Sequence, residues 1–401
     1  MNPRIAWRIL GEVEPRLLWN LAYRCGWGAM RSINRFNRGL KQGDCFPAFL
    51  FLSITNRCNL SCKGCWVTQS VPPCELSLPV LNNVITQSKA EGIPFFGILG
   101  GEPLLHEGVF DLFDAHRDAY FVLFTNGTLL DAKAAGRLRW SGNVTPLISI
   151  EGTKEESDAR RGGIGVYASA LDALRHCHEN RLFTGVATSI TRYSLDDLAS
   201  DQFLDEMARR GAHYLWYYIY RPAGPNPSPE RALSADQILQ LRRFIVDART
   251  RAPLILVDAY WDHEGRALCP AATGIALHIA PNGAIEPCPV LQFAGENIGE
   301  GNGLAETLRH SALLRTFRDE VSPRTRGCII MEDPRWLAEF VRAQMKACGA
   351  VDSTGRNTLL DELAAAAPCP CHHIPGAEIP EKSWIYRFAK KHWFFGFGAY
   401  G

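Results

Sequence analysis

Residues 48–65, Ala48 to Cys65, read AFLFLSITNRCNLSCKGC. The first eight are a nearly continuous apolar run, the pattern of a strand buried on both faces in a parallel sheet. The remainder places Cys58, Cys62 and Cys65 at CxxxCxxC spacing directly after that strand. Three thiolates so spaced can ligate three irons of a [4Fe-4S] cluster, leaving the fourth iron open to bind and activate a small molecule. Structural zinc usually takes four ligands, often as two CxxC-type pairs. No close second pair stands nearby, since Cys74 is isolated beyond two prolines. On the triplet alone, zinc, simple electron transfer and buried thiols stay open.

The same strand-then-loop unit recurs downstream. Phe95–Leu99 runs into Gly100-Gly101-Glu102-Pro103, Tyr120–Thr125 into Asn126-Gly127, and Val144–Ile150 into Glu151-Gly152. Phe183–Ile190 and Tyr214–Tyr220 read as strands five and six, with helices over 79–91, 166–179 and 195–210. Six strands alternating with helices imply parallel pairing and right-handed crossovers. The fold class is therefore α/β, a partial (β/α)6 barrel. Each distinctive motif follows a strand, at the end of the sheet where parallel α/β folds bind ligands. Barrel-interior side chains such as Tyr217, Tyr218 and Arg221 are expected to select the substrate.

Composition bounds the rest. With 401 residues, 46% hydrophobic and 21% charged, the chain is an ordinary globular one. A net charge of +1, with no stacking motif in a basic groove, argues against nucleic acid. Thirteen cysteines without a secretory h-region argue for metal ligation in a reducing, cytoplasmic compartment rather than disulfides. No run of about 18 apolar residues is present to span a membrane.

In combination and order, these motifs resemble the radical S-adenosylmethionine (SAM) superfamily over residues 46–225. The resemblance implies that SAM chelates the open iron. One electron then splits its sulfur–carbon bond, and the resulting 5'-deoxyadenosyl radical takes a hydrogen atom from substrate. It also implies a SAM pocket built from Trp66, Gly100, Gly101, Glu102, Pro103, Asn126, Ser149, Glu151 and Arg161. Gly100 and Gly101 would admit the methionine end closely, and Glu102 or nearby carbonyls would accept from its ammonium. Asn126 and Ser149 would meet ribose or carboxylate, or else stabilise turns. Relatives usually carry aspartate at Glu151. Arg161 would meet the SAM carboxylate, a solvated arginine at a helix start being the other reading.

Further on, Cys269-x13-Gly283-x4-Cys288 resembles the opening of a SPASM or twitch extension. Residues 276–280 and 284–287 flank Pro281-Asn282-Gly283 as a β-hairpin. The dense cysteine run of a full SPASM domain is absent, so one auxiliary iron–sulfur cluster is expected. Cys269, Cys288 and Cys328 are its ligands, with Cys348, Cys369, Cys371, a non-cysteine group or substrate as the fourth; structural zinc stays open here as well. The expected domains are residues 1–45 (basic aromatic helices), 46–258 (barrel), 259–375 (auxiliary domain) and 376–401 (basic aromatic tail).

The first 42 residues hold eight basic residues against two acids, interleaved with Trp7, Trp19 and Trp27. The tail from Ser383 carries Arg387, Lys390 and Lys391 among aromatics, with no acids. Such composition suits interfacial helices, so both ends are expected either on an anionic membrane surface or amphiphilic substrate, or packed on the barrel. No leader-peptide-binding module is recognisable before Phe46. The expectation is thus an enzyme acting on a small or lipid-like substrate, with a flavodoxin- or ferredoxin-type electron donor. A peptide maturase is the alternative within enzymes, and an iron–sulfur carrier or scaffold the alternative outside them.

Overall fold

A computed structural model describes residues 3–70, 72–299, 303–356 and 358–392. Six parallel strands form the frame: β1 (Phe49–Ser53), β2 (Phe95–Leu99), β3 (Tyr120–Thr125), β4 (Val144–Ser149), β5 (Gly185–Ile190) and β6 (Tyr214–Ile219). They lie in sequence order, each hydrogen-bonded to the next. Three further strands extend the sheet. β7 (Ile255–Val257) adds parallel to β6, and β8 (Ala276–Ile279) adds parallel to β1 on the opposite edge. β9 (Ile285–Glu286) then turns back antiparallel on β8. The expected hairpin thus exists and is part of the barrel sheet itself. The sheet remains open between β7 and β9, so the barrel is partial.

Alternation assigns the two faces. Leu50, Leu52, Phe96 and Ile98 are fully buried under the outer helices. The opposite parity lines the lumen, where Phe51, Phe124, Trp216 and Tyr218 form a chain of ring contacts 5.4–6.3 Å apart. Gly97 sits opposite Phe51, and a Cβ there would overlap that ring. Tyr217 does not share this lumen. Its hydroxyl donates to the Leu198 carbonyl at 2.8 Å on the helix side, because neighbours in a strand face opposite ways.

The helix expected over 195–210 is two. Leu195–Leu198 ends, and Ser200 caps a new helix, Asp201–Arg209, by accepting from the Phe203 amide at 3.2 Å.

The N-terminal helices Pro3–Glu12, Pro15–Asn20 and Gly28–Lys41, joined by a π-helical segment Leu21–Trp27, close the barrel's N-terminal end. Arg8 donates to the carbonyls of Ala212 and Pro253, Asn20 to Gly142 and Ser32 to Ala48, all just before strands. The C-terminal helix Trp384–His392 also packs on the barrel. Tyr386 accepts from the Leu256 amide at 3.0 Å, and the buried Lys390 ammonium donates to Asp258 at 2.8 Å. Trp393, Phe394, Phe395 and Phe397 lie outside the described residues. Between β9 and this helix in the chain, Phe293, Leu313, Phe317, Leu337 and Phe340 build a second core.

Among the described residues, no helix is long and apolar enough to cross a membrane.

Candidate functional site

Cys58, Cys62 and Cys65 stand half-buried on the loop leaving β1. Several elements of the rim grip this loop. The Gly101 and Glu102 amides donate to the Thr55 and Arg57 carbonyls at 2.8 and 2.9 Å, and a Cβ on Gly100 or Gly101 would overlap those carbonyls. The two glycines therefore allow the β2 loop to lie against the cysteine loop. Asn126 donates to Asn59 at 2.9 Å and accepts from the Thr128 amide at 2.9 Å. The Lys63 amide donates to the Arg160 carbonyl at 2.7 Å. A Cβ on Gly162 (φ +71°) would stand 2.6 Å from the Ser61 carbonyl oxygen, and one on Gly224 (φ +91°) 2.5 Å from Trp66 Cα.

The polar rim residues are largely used within the protein. Glu102 is fully buried and precedes the short turn Pro103–Leu105. Its carboxylate accepts from the Leu104 amide (3.1 Å), Thr125 hydroxyl (2.8 Å) and Asn126 amide (2.7 Å), tying β2 to β3. Burial pushes its pKa up despite these donors. Ser149 is half-exposed at the end of β4, and among the described residues nothing bonds its hydroxyl.

Glu151 is buried between two guanidiniums, accepting from Arg160 and Arg161 and from the Ser189 amide at 3.0 Å. Burial alone would raise its pKa; Arg160 and Arg161 outweigh that and hold it low. Arg161 thus ends the helix Lys154–Arg161 enclosed by Glu151 rather than starting a helix in solvent. Arg160, which the sequence reading passed over, stacks on Tyr220 at 5.5 Å. Its signal was the buried-strand position of Glu151, which demands a cation.

Trp66 meets the His278 ring edge-on at 6.0 Å. His278 shares hydrogen bonds with Ser53 (2.7 Å) and Glu286 (2.6 Å), and all three are buried. This chain links β1 to the hairpin β8–β9 and was not anticipated.

A second group of thiols gathers beyond the hairpin. Cys269, Cys288 and Cys328 lie within one another's electrostatic field, which adds to burial in raising the Cys269 and Cys288 thiols to about 11 and about 12. Cys369 and Cys371 adjoin Cys328, whose amide donates to Cys371 Sγ at 3.4 Å. Cys348 is elsewhere, its thiol donating to the Gln344 carbonyl at 3.3 Å. Arg221, just past β6, stacks on Tyr260 at 5.4 Å. Burial works against its charge, but Tyr260 and the Cys328, Cys288 and Cys269 thiols together favour it.

Both thiol groups suit an iron–sulfur cluster in donor type: soft sulfur, shielded, with cations close by. In the first, burial raises Cys58 to about 11, with Cys62 and Cys65 adding to the shift. The three cysteines thus act on one another across one loop, and as ligands their thiols would give up protons to a bound metal. Among the described residues, no three His, Cys, Asp or Glu groups close round a single-ion position.

Comparison with known proteins agrees with this geometry. The radical SAM superfamily model matches residues 52–202. The mycofactocin maturase MftC of Mycobacterium tuberculosis is 30% identical over 314 residues, covering 73% of this chain and 77% of that protein. The chain belongs to the radical SAM superfamily. Members of this superfamily are enzymes that bind a [4Fe-4S] cluster and SAM, and the SPASM-type relatives carry additional clusters. The pre-heme d1 synthase of Dinoroseobacter shibae is 30% identical over 226 residues, 53% of this chain and 51% of that one. Among solved structures, Streptococcus suis SuiB bound to its precursor peptide SuiA aligns with a TM-score of 0.59 at 17% identity, over 70% of this chain and 69% of that one. The mostly parallel sheet is that of a radical SAM partial barrel, and the chain is of the SPASM/twitch type in its C-terminal extension.

Proposed function

We propose that this enzyme modifies a peptide, using a hydrogen-atom abstraction at the barrel mouth. The observation that carries the reading is the likeness to MftC, a maturase by name, over 73% of the chain. SuiB, whose fold this chain shares, binds a precursor peptide. The lumen supports the same reading, since its half-buried mouth of Phe51, Phe124 and Tyr218 offers aromatic surface to a side chain. A small or lipid-like substrate, expected from the basic aromatic ends, loses its main support. Those helices pack at the opposite end of the barrel or on its side.

Cys58, Cys62 and Cys65 would hold the SAM-binding cluster, with Trp66, Ser149 and the backbone of Gly100–Pro103 facing SAM. Once bound, cluster and SAM supply a one-electron cleavage that generates a hydrogen-abstracting radical. The residues of the chain shape and shield that event. Glu102 and Asn126 lock the loops, and Glu151 holds Arg160 and Arg161 beside the thiols. Cys269, Cys288, Cys328 and either Cys369 or Cys371 would hold an auxiliary cluster in residues 259–375, next to Arg221 at the rim. A flavodoxin or ferredoxin would deliver the electron.

The test is anaerobic reconstitution with iron and sulfide, followed by dithionite, SAM and a short precursor peptide encoded beside this gene. Expected are 5'-deoxyadenosine and a peptide whose mass changes in step with it. If 5'-deoxyadenosine forms but every such peptide is unaltered, while a tetrapyrrole or an isoprenoid is consumed, the peptide assignment fails.

A further inference from the structure

The N-terminal helical layer has two faces, and the fold explains one of them. From Pro15 to Lys41 it runs as α-helix, π-helical segment and α-helix without a break. Its inner face, with Leu17, Cys25, Ala29, Ile33 and Phe36, is buried against the start of the strands. On the outer face Trp19 (69% exposed), Tyr23 (57%) and Trp27 (52%) follow at intervals of four. Exposed Arg31, Arg38 and Lys41 continue the same line at helical spacings. Trp19 and Tyr23 stack on each other at 6.1 Å. No Asp or Glu occurs between Glu14 and Asp44, and Glu14 is spent on Arg139 at 2.6 Å and Arg16 at 3.4 Å.

We infer that this outer face seats the closed end of the barrel on an anionic lipid bilayer. Indole and phenol rings beside uncompensated cations are the chemistry of the headgroup layer. The stripe lies along a convex helix. A fluid headgroup layer deforms around such rings, whereas a rigid partner would need a matching groove. Single-stranded nucleic acid is held in basic grooves, and the stripe is a ridge. A second copy would set cation against cation. The C-terminal helix contributes less, because its Arg387 and Lys390 are spent on Glu264 and Asp258. The cysteine loop lies at the opposite ends of the strands. The membrane therefore tethers the enzyme and leaves its mouth facing the aqueous phase, whichever substrate is correct.

The test is flotation of the full-length protein with vesicles of phosphatidylcholine alone, or with about one-third phosphatidylglycerol, at low and high salt. Binding is expected to the anionic vesicles at low salt, weakened by salt and by omission of phosphatidylglycerol. Each cation near the surface contributes about fivefold, so Arg31→Gln with Arg38→Gln weakens partitioning by about 25-fold. Trp19→Ser with Trp27→Ser weakens it at both salt concentrations and abolishes the vesicle-induced blue shift of tryptophan emission. Since all four side chains are exposed, thermal midpoints and 5'-deoxyadenosine formation stay at parental values. The inference is overturned if the parent fails to float with anionic vesicles at low salt. It is equally overturned if both double variants float like the parent, or if the face instead mediates self-association or oligonucleotide binding.

Discussion

Glu151→Gln removes the charge on which the rim after β4 is organised while keeping its shape. The Glu151 side chain is 3% exposed, and its partners Arg160 and Arg161 are 9% and 14% exposed. Removing one member of a buried ion pair costs about 3–5 kcal/mol, because the remaining charge is left buried without a counterion. Arg160 keeps the Ser189 carbonyl at 3.1 Å and the face of Tyr220, which places the expected cost at the lower end, about 3 kcal/mol. At about 2 °C per kcal/mol for a large domain, the thermal midpoint of Glu151→Gln falls by about 6 °C. Glu151→Asp keeps the charge and shortens the reach, so it loses less. The helix carrying these arginines also holds the cysteine loop through Lys63 and Gly162, so iron bound per chain after reconstitution falls with the midpoint. The pH dependence has a fixed sign. The folded pKa of Glu151 is depressed, so its contribution is complete above the unfolded value near 4.3 and is lost as pH falls through the folded one. The gap between parent and Glu151→Gln therefore narrows below about pH 4. Scanning calorimetry and iron analysis check both; a midpoint within about 1 °C of the parent, with full iron, would refute the argument.

Gly101→Ala sets a methyl group on the Arg57 carbonyl and is expected to lower iron at the first thiol group without unfolding the second core; Mössbauer or iron analysis of the reconstituted protein reads this. Cys348→Ser leaves total iron unchanged, while Cys328→Ser removes the auxiliary share, and comparison of Cys369→Ser with Cys371→Ser identifies the fourth ligand. Under the C-terminal helix, three cations (Arg242, Arg249, Lys390) face two carboxylates (Asp258, Glu381). Asp258→Asn therefore costs about 3–5 kcal/mol, whereas Lys390→Met, which removes the surplus charge, costs much less in a denaturant titration. Burial lowers Lys390 to about 8, so the parent gains stability as pH rises from 8 towards the unfolded value near 10.4, and Lys390→Met lacks that rise.

The frame was legible because parallel strands buried on both faces are written as apolar runs, which β1, β2, β3 and β6 have most plainly. β7 was not, since its three residues, Ile255–Val257, carry too little pattern. The β8–β9 hairpin was readable from its turn, but not its docking on β1. Pairing partners are set by which sheet edge is left open, a property of the assembled fold. Tyr217 was misplaced through neglect of strand alternation, which the sequence did contain. Arg160 and Arg161 are adjacent and identical in type, and both proved to turn inward on one carboxylate.

The rim motifs illustrate a deeper limit. Gly100, Gly101, Glu102, Asn126, Gly162 and Gly224 were found, or could have been found, by type and position. Residue type suggested contact with a ligand, and each of these residues also has a close contact within the protein. A cluster held by three thiolates on one loop would bind more readily to a loop already held in place before metal arrives. A loop of ten residues has little apolar surface with which to hold itself. Its rigidity must then come from neighbouring backbone brought within van der Waals range, which needs glycine, and from buried polar side chains with several partners, which needs Glu102, Asn126 and Glu151. The residues that mark the rim in the sequence thus also brace the cysteine loop, and the hydrogen-bonded series Ser53–His278–Glu286 extends this bracing from β1 to the hairpin β8–β9.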